Sequence, residues 1–216
     1  MAKEAPVHSK ILTDAAQQVL RPMGLVQKGR SRIWLDDHCW WQCVVEFQPS
    51  SWSRGSYLNV GCNWLWSVQD YLSFDEGNRV EEFHPFTGEA EFEAIARSLA
   101  NRAASEVSRY RELFPSVEAV AGYYLRNKPV GFWTNFHAAV ACGLSGRPKE
   151  GRSFMNEVTE QRGDNRDWVL AAHADAERLN LILDDTGIFR NVVAERVLRT
   201  RDLQKLPLLS TVDFDR

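Results

Sequence analysis

Four cysteines in 216 residues, at positions 39, 43, 62 and 142, include no pair at the two-residue spacing of zinc knuckles or redox motifs. No apolar run is long enough to cross a bilayer. The most apolar stretch, Val130–Leu144, is interrupted by Asn135, His137 and several small side chains. The N-terminus, Met1-Ala2-Lys3-Glu4-Ala5-Pro6, lacks the apolar segment and small-residue cleavage site of a secretion signal. Reduced thiols and a cytoplasmic setting are therefore expected. Charge of neither sign dominates: the formal charge is −3 and the pI is near 6, which excludes a global attraction to nucleic acid or anionic membrane. Phosphate-binding GxGxxG and GK[ST] loops are missing, as are GxSxG and HExxH. These absences predict no cofactor, no metal and no catalytic set. They leave a protein partner as the expectation, rather than nucleic acid or a membrane.

What the chain does have is tryptophan in one place. Six of its eight tryptophans fall between Trp34 and Trp66, in a stretch that otherwise reads as β-strand. The apolar and charged fractions, 44% and 25%, are those of an ordinary globular protein, so general disorder is not expected. Ile11, Ala15, Leu20 and their neighbours fit a first amphipathic helix over about Ser9–Leu20, ending at Pro22 and Gly24. Strands follow at about Arg30–Leu35, Cys39–Gln48 and Ser56–Trp66. An Asp36-Asp37-His38 turn and a loop at Pro49–Gly55 separate them. A short fourth strand is placed near Val80–Phe83, after a turn at Asp75-Glu76-Gly77-Asn78.

From Gly88 the period changes to that of a helix. Phe92, Ile95, Leu99, Ala103, Tyr110 and Phe114 mark one long helix that Pro115 ends. Further helices are predicted over about Ser116–Arg126, Val130–Leu144, Pro148–Gln161 and Asp167–Leu183. A last one runs from after Gly187 to about Asp202. The small residues Ala138, Ala139, Ala141 and Gly143 would let the pair at 130–144 and 148–161 approach closely, like a single tetratricopeptide-type hairpin; an ordinary helical hairpin is the simpler account. The fold expected is α+β. An N-terminal helix and an antiparallel sheet of three to four or more strands are packed by a long helix, over residues 1–115. A helical-hairpin region follows over 116–206, and an irregular tail over 207–216.

Strand parity sorts the tryptophan-rich region into two faces. Cys39, Trp41, Cys43, Val45 and Phe47, with Leu58, Val60, Cys62, Trp64 and Trp66, and with Ile33 and Leu35, form the expected apolar core face. The opposite face collects the polar and aromatic residues Arg32, Trp34, Trp40, Gln42, Glu46, Gln48, Tyr57 and Asn59, beside Val44 and Asn63, with Gly61 leaving room for a ligand or another backbone. Aromatic rings among hydrogen-bonding groups are what interaction surfaces use, so these eight residues are the candidate binding set. Packing within the chain would account for the same mixture.

The segments Gly24-Leu25-Val26-Gln27-Lys28-Gly29-Arg30, Val45-Glu46-Phe47-Gln48-Pro49-Ser50-Ser51 and Tyr57-Leu58-Asn59-Val60-Gly61 together resemble a bacterial family, the domain of unknown function numbered 4304. Its members open with a helix, enter the sheet through Gly-Phe-x-Lys-x-Gly, and carry strands ending Phe-Gln-x-Ser and Asn-x-Gly; Leu25 departs from the usual Phe. The resemblance covers about residues 8–115. It implies a bacterial, cytoplasmic α+β domain in which Phe47, Gln48, Ser51, Asn59 and Gly61 hold a shared structural core. It supplies no catalytic residues.

Two other groupings hold possible chemistry. Asp36-Asp37-His38-Cys39 with Cys43 is the best metal candidate, but two thiols a long strand step apart do not converge on one ion, and a turn beside core thiols is the expectation. The same inward-facing thiols are poor partners for His38 as a base. Arg190, Arg196, Arg199, Arg201 and Lys205 could make a basic stripe on the last helix, or simply answer its dipole. The function expected is a non-catalytic bacterial protein-interaction or adaptor module. It would bind through the aromatic-polar sheet face, the helical hairpins, or both. The alternatives are an immunity or defence protein that binds and blocks a toxin, and an enzyme with a site around Glu46, Gln48, Arg32 and Tyr57.

Overall fold

The computed structural model describes residues 6–128, 130–160 and 166–215. The order of elements is that of an α+β protein. Helix α1 (Val7–Leu20) leads to a single 3-10 turn and then to the strands β1 (Val26–Gln27), β2 (Ile33–Asp37), β3 (Trp41–Gln48), β4 (Gly55–Trp64) and β5 (Glu76–Pro85). Six helices follow: α2 (Glu89–Leu113), α3 (Val117–Asn127), α4 (Phe132–Leu144), α5 (Pro148–Glu160), α6 (Asp167–Ile182) and α7 (Thr186–Gln204). Met1–Ala5, from which no export signal was read, and Gln161 at the expected end of α5 lie outside the described residues.

The chain divides into two compact units. One is Met1–Asn63 with Leu72–Glu112; the other is Trp64–Tyr71 with Leu113–Arg216. The second junction, between Glu112 and Leu113, falls at the end of α2. The excursion of Trp64–Tyr71 out of the sheet unit has no counterpart in the expected boundaries, and residues 207–215 belong to the helical unit rather than standing apart.

In the sheet unit the strands form a meander in the order β1-β2-β3-β4-β5. The pairings of β1 with β2, β2 with β3 and β4 with β5 are antiparallel. Helix α1 buries His8, Leu12, Ala16 and Leu20, one residue per turn, and α2 buries Phe92, Ala96, Leu99, Ala103, Val107 and Tyr110. These stripes cover one sheet face, which presents Cys43, Val45, Phe47, Leu58, Val60 and Cys62, all buried. Arg32 ties α1 to the sheet by donating to the Ser9 hydroxyl and, at 3.3 Å, to the Gly55 carbonyl.

Register corrects the expected faces of β2. Trp34 pairs with Val45 and Asp36 with Cys43, while Ile33 pairs with Glu46 and Leu35 with Val44. Directly opposed residues share a face. Trp34 and Asp36 therefore lie on the helix-covered side, and Ile33 and Leu35 on the other. The turn also comes later than Asp36-Asp37-His38: β2 runs to Asp37, His38 N–H donates to the Trp41 carbonyl at 2.9 Å, and Cys39 takes the left-handed conformation at φ 68°. A shift in where the strand ends reverses its whole pattern, since the side-chain period is two.

Strand β5 is ten residues long rather than a short segment at Val80–Phe83. The residues read as a turn, Glu76-Gly77-Asn78, lie within it, with Gly77 paired to Gly61. A Cβ on Gly61 would stand 2.4 Å from the Glu76 carbonyl oxygen, and one on Gly77, at φ 112°, 2.4 Å from the Tyr110 hydroxyl. The room at Gly61 is therefore filled by the chain's own backbone and by Phe74.

In the helical unit α4 is buried from Asn135 to Leu144 without a gap, as a central helix must be. Its small residues admit neighbours on two sides. A Cβ on Gly143 would lie 2.5 Å from the Phe189 ring of α7, and Gly151 of α5 comes within 3.1 Å of the Ala139 carbonyl by the same measure. Ser116 caps α3 and Asp185 caps α7 by accepting backbone N–H bonds, from Ala119 at 3.3 Å and Ile188 at 2.9 Å.

Candidate functional site

The eight residues expected on the polar sheet face do not form one open surface. Trp34, Trp40, Gln42 and Asn59 are buried. Gln42 donates its side-chain amide to Asn63 at 2.9 Å, and Asn63 donates in turn to Ser73 at 2.8 Å and to Asp75 at 3.3 Å. The Ser73–Asp75 stretch thus reaches back over this end of the sheet. Arg32 stands on the helix-covered side as a clamp, and its burial lowers its pKa.

The other end of the face is half-open. Asn59 donates to Glu46 at 2.8 Å and to Gln48 at 3.0 Å, Arg79 donates to Gln48 at 2.9 Å, and the Arg79 guanidinium lies 4.0 Å above the Tyr57 ring. Arg79 was missing from the expected set because it fell between the turn read at Asp75–Asn78 and the short strand placed at Val80–Phe83, whereas β5 runs through it. The polar groups here satisfy one another. The arrangement ties three strands together.

The Asp36–Cys43 cluster is structural as well. Asp36 accepts a two-pronged pair of hydrogen bonds from Arg111 of α2, at 2.8 and 2.7 Å, and its carboxylate lies 2.6 Å from His38 Nε2. Arg111 also donates to the Met23 carbonyl at 2.7 Å. Burial would raise the Asp36 pKa, but the bonds from Arg111 and His38 outweigh it and hold the carboxyl at about 2. Burial pushes the Cys43 and Cys62 thiols well up, so neither offers a ready nucleophilic thiolate. Among the described residues no group of three or more His, Cys, Asp and Glu side chains could hold a metal ion.

The helical unit carries the site that sequence reasoning missed. The segment Trp64–Tyr71 enters it as a peg. Trp64 Nε1–H donates to the Tyr124 hydroxyl and Trp66 Nε1–H to His137 Nδ1, both at 3.0 Å, and the two indoles stack 5.1 Å apart. Side chains of α7 then hold the segment by its carbonyls: Arg196 on Trp66, Thr200 on Ser67, and Gln204 on Gln69 and Tyr71. With its backbone held from below, the segment turns Ser67, Gln69, Asp70 and Tyr71 toward a cleft of about 530 Å³.

Opposite them α4 contributes Trp133 and Phe136, α6 contributes Ala171, Ala172, Asp175 and Arg178 from one face, and α7 contributes Arg196 and Arg199 at i, i+3. Arg196 is committed: it grips Asp175 through two bonds of 2.6 Å besides holding the Trp66 carbonyl. Arg178 and Arg199 are exposed and make no ion pair among the described residues. The Ser67 hydroxyl is buried and has no hydrogen-bond partner among them. Trp133 and Tyr71 keep 40% and 61% of their surface in solvent.

The basic stripe expected on α7 dissolves in the structure. Arg190 bonds the Leu144 carbonyl and Asp215, Arg201 is buried against the Pro207 carbonyl, and Lys205 is the left-handed C-cap at φ 59°. Arg199 alone of the set points into the cleft unpaired. No family model, curated protein or solved structure matches this chain.

Proposed function

We propose that this chain is a protein-interaction or adaptor module, and that its partner docks in the cleft of the helical unit rather than on the sheet face. One observation carries the reading: two half-exposed aromatic rings, Tyr71 and Trp133, and two unpaired arginines, Arg178 and Arg199, line a single concavity. Tyrosine, tryptophan and arginine are the residue types in which interface energy concentrates. A cleft of about 530 Å³ has room for the anchoring side chains of a docked segment. The resemblance of residues 8–115 to a bacterial domain family supports a bacterial, cytoplasmic setting as part of the same proposal. No helix among the described residues is long and apolar enough to cross a membrane.

The test sets the two faces against each other. Ala171 is exposed on α6 within the cleft, so Ala171→Trp fills the concavity without touching the core. A partner captured from the native cytoplasm should be lost with Ala171→Trp and kept with Glu46→Ala on the sheet. The reverse pattern refutes docking in the cleft.

A further inference from the structure

We infer that the occupant of the cleft is an acidic peptide segment carrying an aromatic or large aliphatic anchor. This rests on the docking reading above and gives the partner its chemistry. The argument begins with charge. Three arginines and two aspartates line the cleft, and Arg196 and Asp175 neutralise each other at 2.6 Å. What remains is Arg178 and Arg199 against Asp70, a local excess of positive charge on a chain whose formal charge is −3. Guanidinium groups without a carboxylate partner are strong, directional hooks for carboxylates. Asp70, on the rim formed by the 67–71 segment, repels an acidic group from its own flank and so directs it toward the two arginines.

The polar floor gives the second observation. The Ser67 hydroxyl is buried without a partner among the described residues, and such a group is costly to leave unbonded. A segment seated in the cleft supplies the missing bond through a backbone carbonyl or amide. The aromatic side is independent again. Trp133 packs edge-on against Phe136 at 5.9 Å and leaves 40% of its surface open, a wall for an apolar side chain of the same segment. Single-stranded nucleic acid would also find arginines and rings here. It tracks a continuous basic groove, however, and the remaining α7 cations are bonded inside the fold.

The test uses the full chain and fluorescently labelled peptides of one length, read by anisotropy. One peptide is rich in Asp and Glu around a single Phe; a second replaces the acids by Lys; a third replaces the Phe by Ala. Binding of the first should weaken about tenfold or more between about 0.05 and 0.5 M salt, as exposed charge pairs do. The second peptide should not bind, and the third should bind several-fold more weakly than the first. Arg178→Glu with Arg199→Glu, both on the surface, should lose about tenfold or more in affinity, while the two Lys replacements keep most of it. Equal binding of the Lys-rich peptide, tighter binding of a single-stranded oligonucleotide, or indifference to the paired Glu changes would each overturn the inference. Ala171→Trp separates the layers. If it abolishes partner capture while the Glu changes do nothing, docking in the cleft stands and acidic specificity falls. If neither matters, both fall.

Discussion

The sheet's outer face and the helical unit's cleft contain the same ingredients: tryptophan or tyrosine, arginine, a carboxylate and small polar groups. They differ in whether their arginines are already occupied: Arg32 and Arg79 are bonded within the sheet unit, and Arg178 and Arg199 make no ion pair among the described residues. On the sheet Asn59 joins Glu46 to Gln48, Gln48 takes Arg79, Arg79 covers Tyr57, and Gln42 is sealed against Asn63. In the cleft Arg196 and Asp175 satisfy each other, and Arg178, Arg199 and the Ser67 hydroxyl do not find partners among the described residues. Composition alone marks neither as a site. A surface is ready to bind when its hydrogen-bonding capacity is left open by its own fold.

That contrast can be broken at the occupied positions. The largest effect is expected at Arg196. Its replacement by Ala leaves Asp175 and the Trp66 carbonyl without their donor, and should destabilise the helical unit by about 3 kcal/mol, since removing one partner of a largely buried pair strands the other. Arg199→Ala, three residues on and unpaired, should stay within about 0.5 kcal/mol. Urea unfolding of the two variants measures the difference, and equal losses would mean that Arg196 is as idle as its neighbour.

Next comes Asp36. Its pKa is about 2 in the folded chain against 3.8 for the free side chain, so folding favours the ionised form. The resulting stability, about 2 kcal/mol, is fully present above pH 4 or so and is lost as pH falls toward 2. Asp36→Asn should remove it at neutral pH and flatten the acid limb of the stability profile. An unchanged acid limb in that variant would show that the Arg111 clamp contributes nothing. The smallest effect belongs to the sheet network. Gln48→Ala should cost about 1 kcal/mol or less, because the groups it leaves, Asn59 and Arg79, retain Glu46 or solvent as partners. A loss as large as that at Arg196 would make the sheet face, not the cleft interior, the more tightly coupled network.

Most element types could be read from the chain, and particular residues show why. Ile11, Ala15 and Leu20 mark the first helix and Pro115 follows α2, so both elements could be read locally, although the stripe that α1 buries is Leu12, Ala16 and Leu20. Trp34 was assigned to the wrong face because a two-residue period says only that neighbours alternate; which set is inside depends on pairing with Val45. Gly77 looked like a turn because glycine favours φ > 0, and its real use is to let β5 pass within touching distance of Gly61 and the Tyr110 hydroxyl. The cleft was unreadable in advance. Ser67, Trp133, Arg178 and Arg199 come from four separate stretches, and no spacing links them.

Taken alone, the amino-acid order determined what acts over a few residues: helical and strand periods, breakers, caps, and the inward placement of Cys43 and Val60. Only the tertiary structure decided which polar groups were satisfied and which were left open. A hydrogen bond between residues as distant as Arg196 and Trp66 depends on where two segments come to rest, and nothing in the local propensity of either encodes that meeting.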